Sequence, residues 1–184
     1  FEQLLAERVP GVEMVPVDLP GHGDSRADPA LDLPGSAAHL VDTGGTAVYV
    51  GYSMGGRVAL HAALASPDRV RALALIGATA GIDDDAERAA RRAADEQLAD
   101  RIEQIGVDTF LREWLRNPLF AGLSADAADV GDRMRNTAAG LAASLRNTGT
   151  GTQEPLWSRL REIRVPVLVL AGEHDAKFRE LGGR

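Results

Sequence analysis

Gly51-Tyr52-Ser53-Met54-Gly55-Gly56 carries the spacing G-x-S-x-G, and its flanks decide how it reads. Before it runs Thr46-Ala47-Val48-Tyr49-Val50, short, apolar and rich in β-branched residues. After it comes Arg57-Val58-Ala59-Leu60-His61-Ala62-Ala63-Leu64, with helical composition and period. A strand, a glycine-flanked serine and a helix in that order form a nucleophile elbow. The turn is too sharp for side chains beside it, so Gly51 and Gly55 are expected to keep strand and helix from colliding. Ser53 is then lifted above the carboxyl ends of the strands, where the helix N-terminus favours developing negative charge.

Working outward, Glu13-Met14-Val15-Pro16-Val17-Asp18 reads as a strand, with Pro16 marking an edge or an unpaired position. The turn-rich Leu19-Pro20-Gly21-His22-Gly23-Asp24-Ser25 follows, and then a short helix over 36–43. The elbow strand covers 46–51. Past the elbow helix, Pro67 and Asp68 mark a stop before a buried-type strand, Val70-Arg71-Ala72-Leu73-Ala74-Leu75-Ile76-Gly77. Strands alternating with helices predict a parallel sheet with right-handed crossovers.

Residues 83–162 break that rhythm. Asp83-Asp84-Asp85 is an acidic helix start, and the helix runs to Ile105. Further helices are expected over 107–115, 124–134 and 136–146, then the loop Thr148-Gly149-Thr150-Gly151 and a short helix over 155–161. A helical stretch of this length between two strands is the usual position for a lid over a site. The sheet pattern resumes over 165–171 and ends in Glu173-His174-Asp175. The expected division is therefore a partial core over 1–82, a helical lid over 83–162, and a core strand with an acid over 163–184.

Composition narrows the function. The 184 residues are 45% hydrophobic and 26% charged, as in ordinary globular proteins. No apolar run approaches the roughly 20 residues of a membrane span. With no cysteine, disulfides, thiolate chemistry and Cys-based zinc sites are excluded. A net charge of −7 without a basic stripe argues against nucleic acid as a partner. A cytoplasmic protein is expected, and an anionic substrate would need locally placed arginines. Oligomeric state is left open.

Chemistry at a serine needs a base, and the base needs an orienting carboxylate. Asp175, at the carboxyl end of the strand after the lid, stands where that acid is expected; read on its own it can also cap the helix beginning Ala176-Lys177-Phe178. The histidines are His22, His39, His61 and His174. Residue order leaves each poorly placed for a Ser-His-Asp relay, and none follows Asp175. Met54 offers one oxyanion N–H.

Asp18-Leu19-Pro20-Gly21-His22-Gly23-Asp24-Ser25, the elbow and Gly172-Glu173-His174-Asp175 together resemble the α/β-hydrolase superfamily. Within it the helical stretch is similar to the MenH-type enzymes of menaquinone biosynthesis, the succinyl-hydroxycyclohexadiene-carboxylate synthases. The residues carrying that similarity are Arg88-Ala89-Ala90-Arg91-Arg92-Ala93-Ala94-Asp95, Phe110-Leu111-Arg112-Glu113-Trp114, Pro118-Leu119-Phe120, Gly149-Thr150-Gly151-Thr152, Pro155-Leu156-Trp157 and Asp175-Ala176-Lys177-Phe178. The resemblance implies an α/β-hydrolase fold and a lyase that eliminates pyruvate from a small polycarboxylate, with neither cofactor nor metal. It implies Ser53 and Asp175 as triad members, and Tyr52, Arg57, Arg91, Trp114 and Arg135 as substrate contacts. Guanidinium forks suit carboxylates held by an acidic protein. Other readings are a carboxylesterase or C–C bond hydrolase working through an acyl-enzyme, and a non-catalytic binding module.

Against that family both ends read as cut. Phe1-Glu2-Gln3-Leu4-Leu5-Ala6-Glu7-Arg8 opens inside an amphipathic helix, and the expectation is that N-terminal strands and a C-terminal histidine segment are lacking. The strand expected between 13–18 and 46–51 would then be missing. Either another segment fills that slot, or those two strands pair directly, because buried unpaired backbone costs about 1–3 kcal/mol per group.

Overall fold

The computed structural model describes residues 8–9, 11–117 and 130–184. Three parallel strands form its sheet in the order β1-β2-β3: β1 is Ala47–Tyr52, β2 Val70–Ile76 and β3 Val167–Leu170. The register aligns Tyr49 with Leu73 and Tyr52 with Ile76, then Leu73 with Val167 and Ile76 with Leu170. All three strands therefore end at one edge, where the elbow and Asp175 both lie.

Helix α1, Leu33–Gly44, starts where the Asp32 carboxylate accepts the Gly35 N–H at 2.8 Å, with a proline in its first turn. It stops at Gly45, whose φ of 67° favours glycine. Helix α2, Met54–Ala65, supplies the β1-to-β2 crossover. Val58, Ala59, Ala62 and Ala63 of α2 are buried together with Leu33, Ala37 and Val41 of α1, and with Tyr49, Leu73 and Leu75 of the sheet. Along β1, burial alternates with period 2. Tyr49 and Gly51 face this core, while Val48, Val50 and Tyr52 are exposed on the other face. Strand β3 is exposed throughout.

Helix α3, Asp85–Trp114, is capped by Asp84, which accepts the Glu87 N–H at 2.8 Å. It breaks at Gly106 (φ 75°, ψ 167°), so the expected pair of helices over 83–105 and 107–115 is found as one kinked element. Arg101 spans the kink to both oxygens of Glu113. A short helix, α4, covers Val130–Arg133; α5 is Ala138–Thr148, capped by Thr137. Buried Ala99 and Ile102 of α3 and Ala142 of α5 mark the contact between them. Arg146 of α5 bonds Glu96, Asp100 and Glu103, a carboxylate row at helical spacing on one face of α3. A 3₁₀ turn, Trp157–Glu162, and helix α6, Ala176–Gly182, complete the described elements. The helical excursion returns to its starting point: Leu156 N–H bonds Ala80 O at 2.7 Å and the Trp157 indole bonds Gly81 O at 3.0 Å.

Two expectations are corrected. Residues 13–18 form no strand, and neither a filled slot nor direct pairing with β1 is found among the described residues. A strand is stabilised only by a ladder partner, and Pro16 removes one donor from the ladder. The feared burial of unpaired backbone is not borne out among the described residues: Val48, Val50 and Tyr52 of β1 are exposed, so water can reach that strand. Of the other expected elements, the helical pattern over 1–8 falls outside the described residues except for Arg8. The expected helix over 124–134 lies outside them as far as 129.

The uneven cover of the sheet is testable. Leu73→Ala, at a side chain 2% exposed, should cost about 2–5 kcal/mol. Leu168→Ala, at 55% exposure, should stay within about 0.5 kcal/mol. Urea denaturation of both variants checks this; equal losses would mean that β3 is covered in solution.

Candidate active site

Between Tyr52, the last residue of β1, and Met54, the first of α2, stands Ser53 alone. Its φ of 50° and ψ of −110° make it the one non-glycine residue with positive φ among the described residues. Such a conformation costs about 1–3 kcal/mol and persists only when its surroundings enforce it. Here the Ser53 N–H bonds Ile76 O at 2.8 Å, and Ser53 O accepts the Arg57 N–H at 3.1 Å. The backbone is thus pinned to β2 on one side and to the first turn of α2 on the other, and the side chain is exposed. Met54, at the first position of α2, carries an N–H that no intrahelical carbonyl can reach.

The glycines divide the work differently from the expected pair, Gly51 and Gly55. A Cβ on Gly51 would overlap the Gly55 carbonyl carbon and the Gly56 nitrogen, and one on Gly56 would sit 2.6 Å from the Ala78 Cβ. A Cβ on Gly55 would meet nothing within 4 Å. Gly51 and Gly56 therefore permit the close approach, and Gly55 borders open space.

The segment after β2 bears directly on this turn. Thr148 and Ser144 of α5 place their hydroxyls 3.1 and 3.5 Å from the Met54 sulfur. The Thr148 carbonyl accepts from Arg57 at 2.5 Å, with Gln153 Oε1 at 3.5 Å. Arg57 is buried, and burial first, then the Arg91 charge, pull its pKa down to about 10 against the opposing pull of Asp95. Arg57 is thus engaged by Thr148 and Gln153 rather than pointing free into solvent. Arg91 bonds Asp95 through Nε at 2.8 Å. Arg135 pairs with Asp24 and with Asp132, and both contacts hold it more firmly protonated than an ordinary arginine. Beside it, Asn136 Oδ1 accepts the Gly23 N–H at 3.1 Å, which ties the 18–25 loop to the helices. Within that loop the Asp18 carboxylate accepts the Asp24 N–H at 2.8 Å.

Tyr52 is exposed, its ring over Gly77. Trp114 lies at the far end of α3, its ring 5.6 Å from that of Phe110. Together with Leu98 and Arg101 they line a shallow cavity of about 280 Å³. Asp175 stands beyond β3 with its Oδ1 accepting the Phe178 N–H at 3.0 Å, so the contact observed is the helix cap. With β2 between β1 and β3, the elbow and Asp175 follow strands that are not neighbours in the sheet. None of the four histidines hydrogen-bonds Ser53 or Asp175 among the described residues. Burial, then the Arg57 and Arg159 charges, pull the His61 pKa below its ordinary value, and His174 is exposed. No group of three His, Asp or Glu able to hold a metal occurs among the described residues, and no described helix is long and apolar enough to cross a membrane.

Sequence reasoning missed Thr148 and Gln153 as hydrogen-bond partners of the elbow arginine, Ser144 as a contact of Met54, and Asp95 as the partner of Arg91. All four are buried polar residues. Their one signal is their company: Asp95 closes the arginine-rich run, and Gln153 ends the glycine-threonine loop.

A strained serine between a parallel strand and a helix, with helices inserted after the next strand, defines an α/β-hydrolase core. The comparisons agree. The alpha/beta hydrolase family matches over residues 1–184. A putative 2-succinyl-6-hydroxy-2,4-cyclohexadiene-1-carboxylate synthase from Bacillus subtilis (strain 168) is 37% identical over 95% of this chain and 68% of its own length. The synthase of that name from Serratia proteamaculans (strain 568) is 35% identical over 97% and 73%. In structure, MenH from S. aureus superposes with a TM-score of 0.82 at 32% identity, over 91% of this chain and 67% of its own. An esterase from Thermogutta terrifontis, at 24% identity and a TM-score of 0.71, shares the fold. The chain belongs to the alpha/beta hydrolase family, in its 2-succinyl-6-hydroxy-2,4-cyclohexadiene-1-carboxylate synthase group.

The glycine assignment predicts a split. Gly51→Ala should cost about 3 kcal/mol or prevent folding, because the clash is with backbone. Gly55→Ala should fold with less than about 1 kcal/mol of loss. Thermal unfolding followed by circular dichroism decides; the reverse order would return the close approach to Gly55.

Proposed function

We propose that this chain is the core and lid of a carbon–oxygen lyase that eliminates pyruvate from a cyclohexene polycarboxylate, giving 2-succinyl-6-hydroxy-2,4-cyclohexadiene-1-carboxylate. The relatives' names support the product, and the observation that carries the reading is the junction of elbow and lid. Ser144 and Thr148 rest on Met54, and Thr148 also holds Arg57 beside Arg91. One contiguous set of contacts thereby joins the exposed serine to arginines suited to carboxylates.

The chemistry follows from those groups. An elimination needs a base at the ring carbon and stabilisation of the negative charge that develops as the C–O bond to pyruvate breaks. Ser53 serves as the proton acceptor's relay, and the Met54 N–H with the α2 N-terminus faces the developing charge. Arg91 and Arg135 hold the carboxylates, with the buried Arg57 adding positive charge behind Arg91; Tyr52 and Trp114 give apolar walls, and Asp175 orients the base. Residues 83–162 act as a lid on the core formed by 1–82 and 163–184. His22, His39, His61 and His174 do not serve as that base in this arrangement. The 184-residue chain by itself should therefore fall several orders of magnitude below a complete relative in pyruvate release.

A second reading, ester hydrolysis through an acyl-enzyme, has the elbow itself in its favour, since a serine raised on a strained turn is equally a nucleophile. Turnover of an aryl ester, with trapping of an acyl group on Ser53, would select it.

In protein that carries the base, Ser53→Ala should lower kcat by about a thousandfold or more without unfolding. Arg91→Ala and Arg135→Ala should each raise KM by about tenfold or more, since each removes a charge-assisted contact. Pyruvate release measured by a coupled assay checks both; unchanged KM in both arginine variants would end the carboxylate-pocket assignment.

A further inference from the structure

Asp95 is a buried carboxylate that the chemistry above does not use. It sits one helical turn after Arg91 on α3, with its side chain 6% exposed against 44% for Arg91. Its Oδ1 takes the Arg91 Nε–H at 2.8 Å, while its Oδ2 is buried with no hydrogen-bond partner among the described residues. A buried charged oxygen left unpaired is destabilising. Packing enforces it nonetheless. A Cβ on Gly149 would lie 2.6 Å from Asp95 Oδ2, and a Cβ on Gly151 would overlap the Arg92 backbone. The Gly149-Thr150-Gly151 turn can press onto α3 only because both positions are glycine. That pressure buries the carboxylate in one fixed place.

The consequence falls on Arg91. A half-exposed arginine on a helix samples many rotamers, and freezing them on binding is costly. Here the fixed carboxylate takes Nε alone, so the guanidinium is anchored at its base and both terminal nitrogens remain as a fork. The same carboxylate offsets the repulsion between Arg91 and the buried Arg57, which allows two guanidinium groups to stand near each other.

We propose that Asp95 is a positioning residue: it aims the Arg91 fork, by way of Nε, at a carboxylate of the substrate. This rests on the reading of the arginines given under Proposed function, and the test separates the two. Calorimetric titration of the 184-residue chain with 2-succinyl-6-hydroxy-2,4-cyclohexadiene-1-carboxylate measures Kd without requiring turnover. Asp95→Ala should weaken binding about tenfold. Asp95→Asn, whose amide oxygen can still accept the Nε–H, should recover to within about threefold of the parent. In an Arg91→Ala background, Asp95→Ala should have no further effect, because nothing remains to be aimed. A merely structural Asp95 would weaken binding equally with and without Arg91, and Asn would not rescue it; either result overturns the proposal. Parent-like Kd in Asp95→Ala while Arg91→Ala binds weakly overturns it as well. Should the parent fail to bind, or Arg91→Ala bind like the parent, the underlying carboxylate pocket falls and the proposal with it. If Asp95→Ala does not fold, Asp95→Leu, near-isosteric but without an acceptor, carries the test in both backgrounds.

Discussion

The close approach of β1 and α2 at Gly51 and Gly56 is the constraint on which the rest of the site depends. With any side chain at either position the strand and helix would separate, and Ser53 would relax out of its positive φ. The alignment of the three strand ends places that turn on the sheet's carboxyl edge, so its strain is maintained by the sheet and not by the loop itself. The Ser53 N–H on Ile76 O shows this directly: β2 continues its ladder one residue past the end of β1 and holds the serine up.

What lies over the turn is positioned by the same economy of small residues. Gly149 and Gly151 seat the end of α5 against α3, and Thr148 reaches Met54 and Arg57 only from that seat. The charged row on α3 grips Arg146 from the outer side, so α3 and α5 move together as a pair. The 18–25 loop is bound to this pair through Asp24, Gly23 and the close contact of Gly21 with Gly140. The 18–25 loop, the helices and the elbow therefore form one connected unit in which Arg91 and Arg135 are already paired with carboxylates. An anionic ligand would have to compete with Asp24 and Asp132 for Arg135, whereas Asp95 leaves the Arg91 fork available.

The elements that were legible in sequence are those whose signal is local. The elbow, β2, the acidic helix start at Asp83-Asp84-Asp85 and the division between 105 and 107 all follow from residues within one or two turns. The start of α5 is Ala138, not 136, because Thr137 supplies the cap. Residues 13–18 have a strand's composition, but pairing depends on a neighbour that composition does not encode. The same limit hid the role of Gly56: the serine pattern names Gly51 and Gly55, while the contact of Gly56 is with Ala78, on another element. Polar residues such as Asp95 and Gln153 read as surface in the sequence, and only the tertiary approach of the glycine turn buries them. For Asp175, sequence left acid and cap both open, and the cap is the contact the fold makes.

The exposed flanks of the sheet carry a geometric consequence. Among the described residues β1 and β3 each pair on one side only, and because all three strands run the same way these two margins are not equivalent surfaces. If two molecules joined margin to margin, β3 of one would meet β1 of the next, each related by a translation and a twist rather than by a two-fold axis. Such contacts do not close on themselves. Every addition presents the same pair of margins again, with Val48, Val50 and the apolar row Val167-Leu168-Val169-Leu170 beside them.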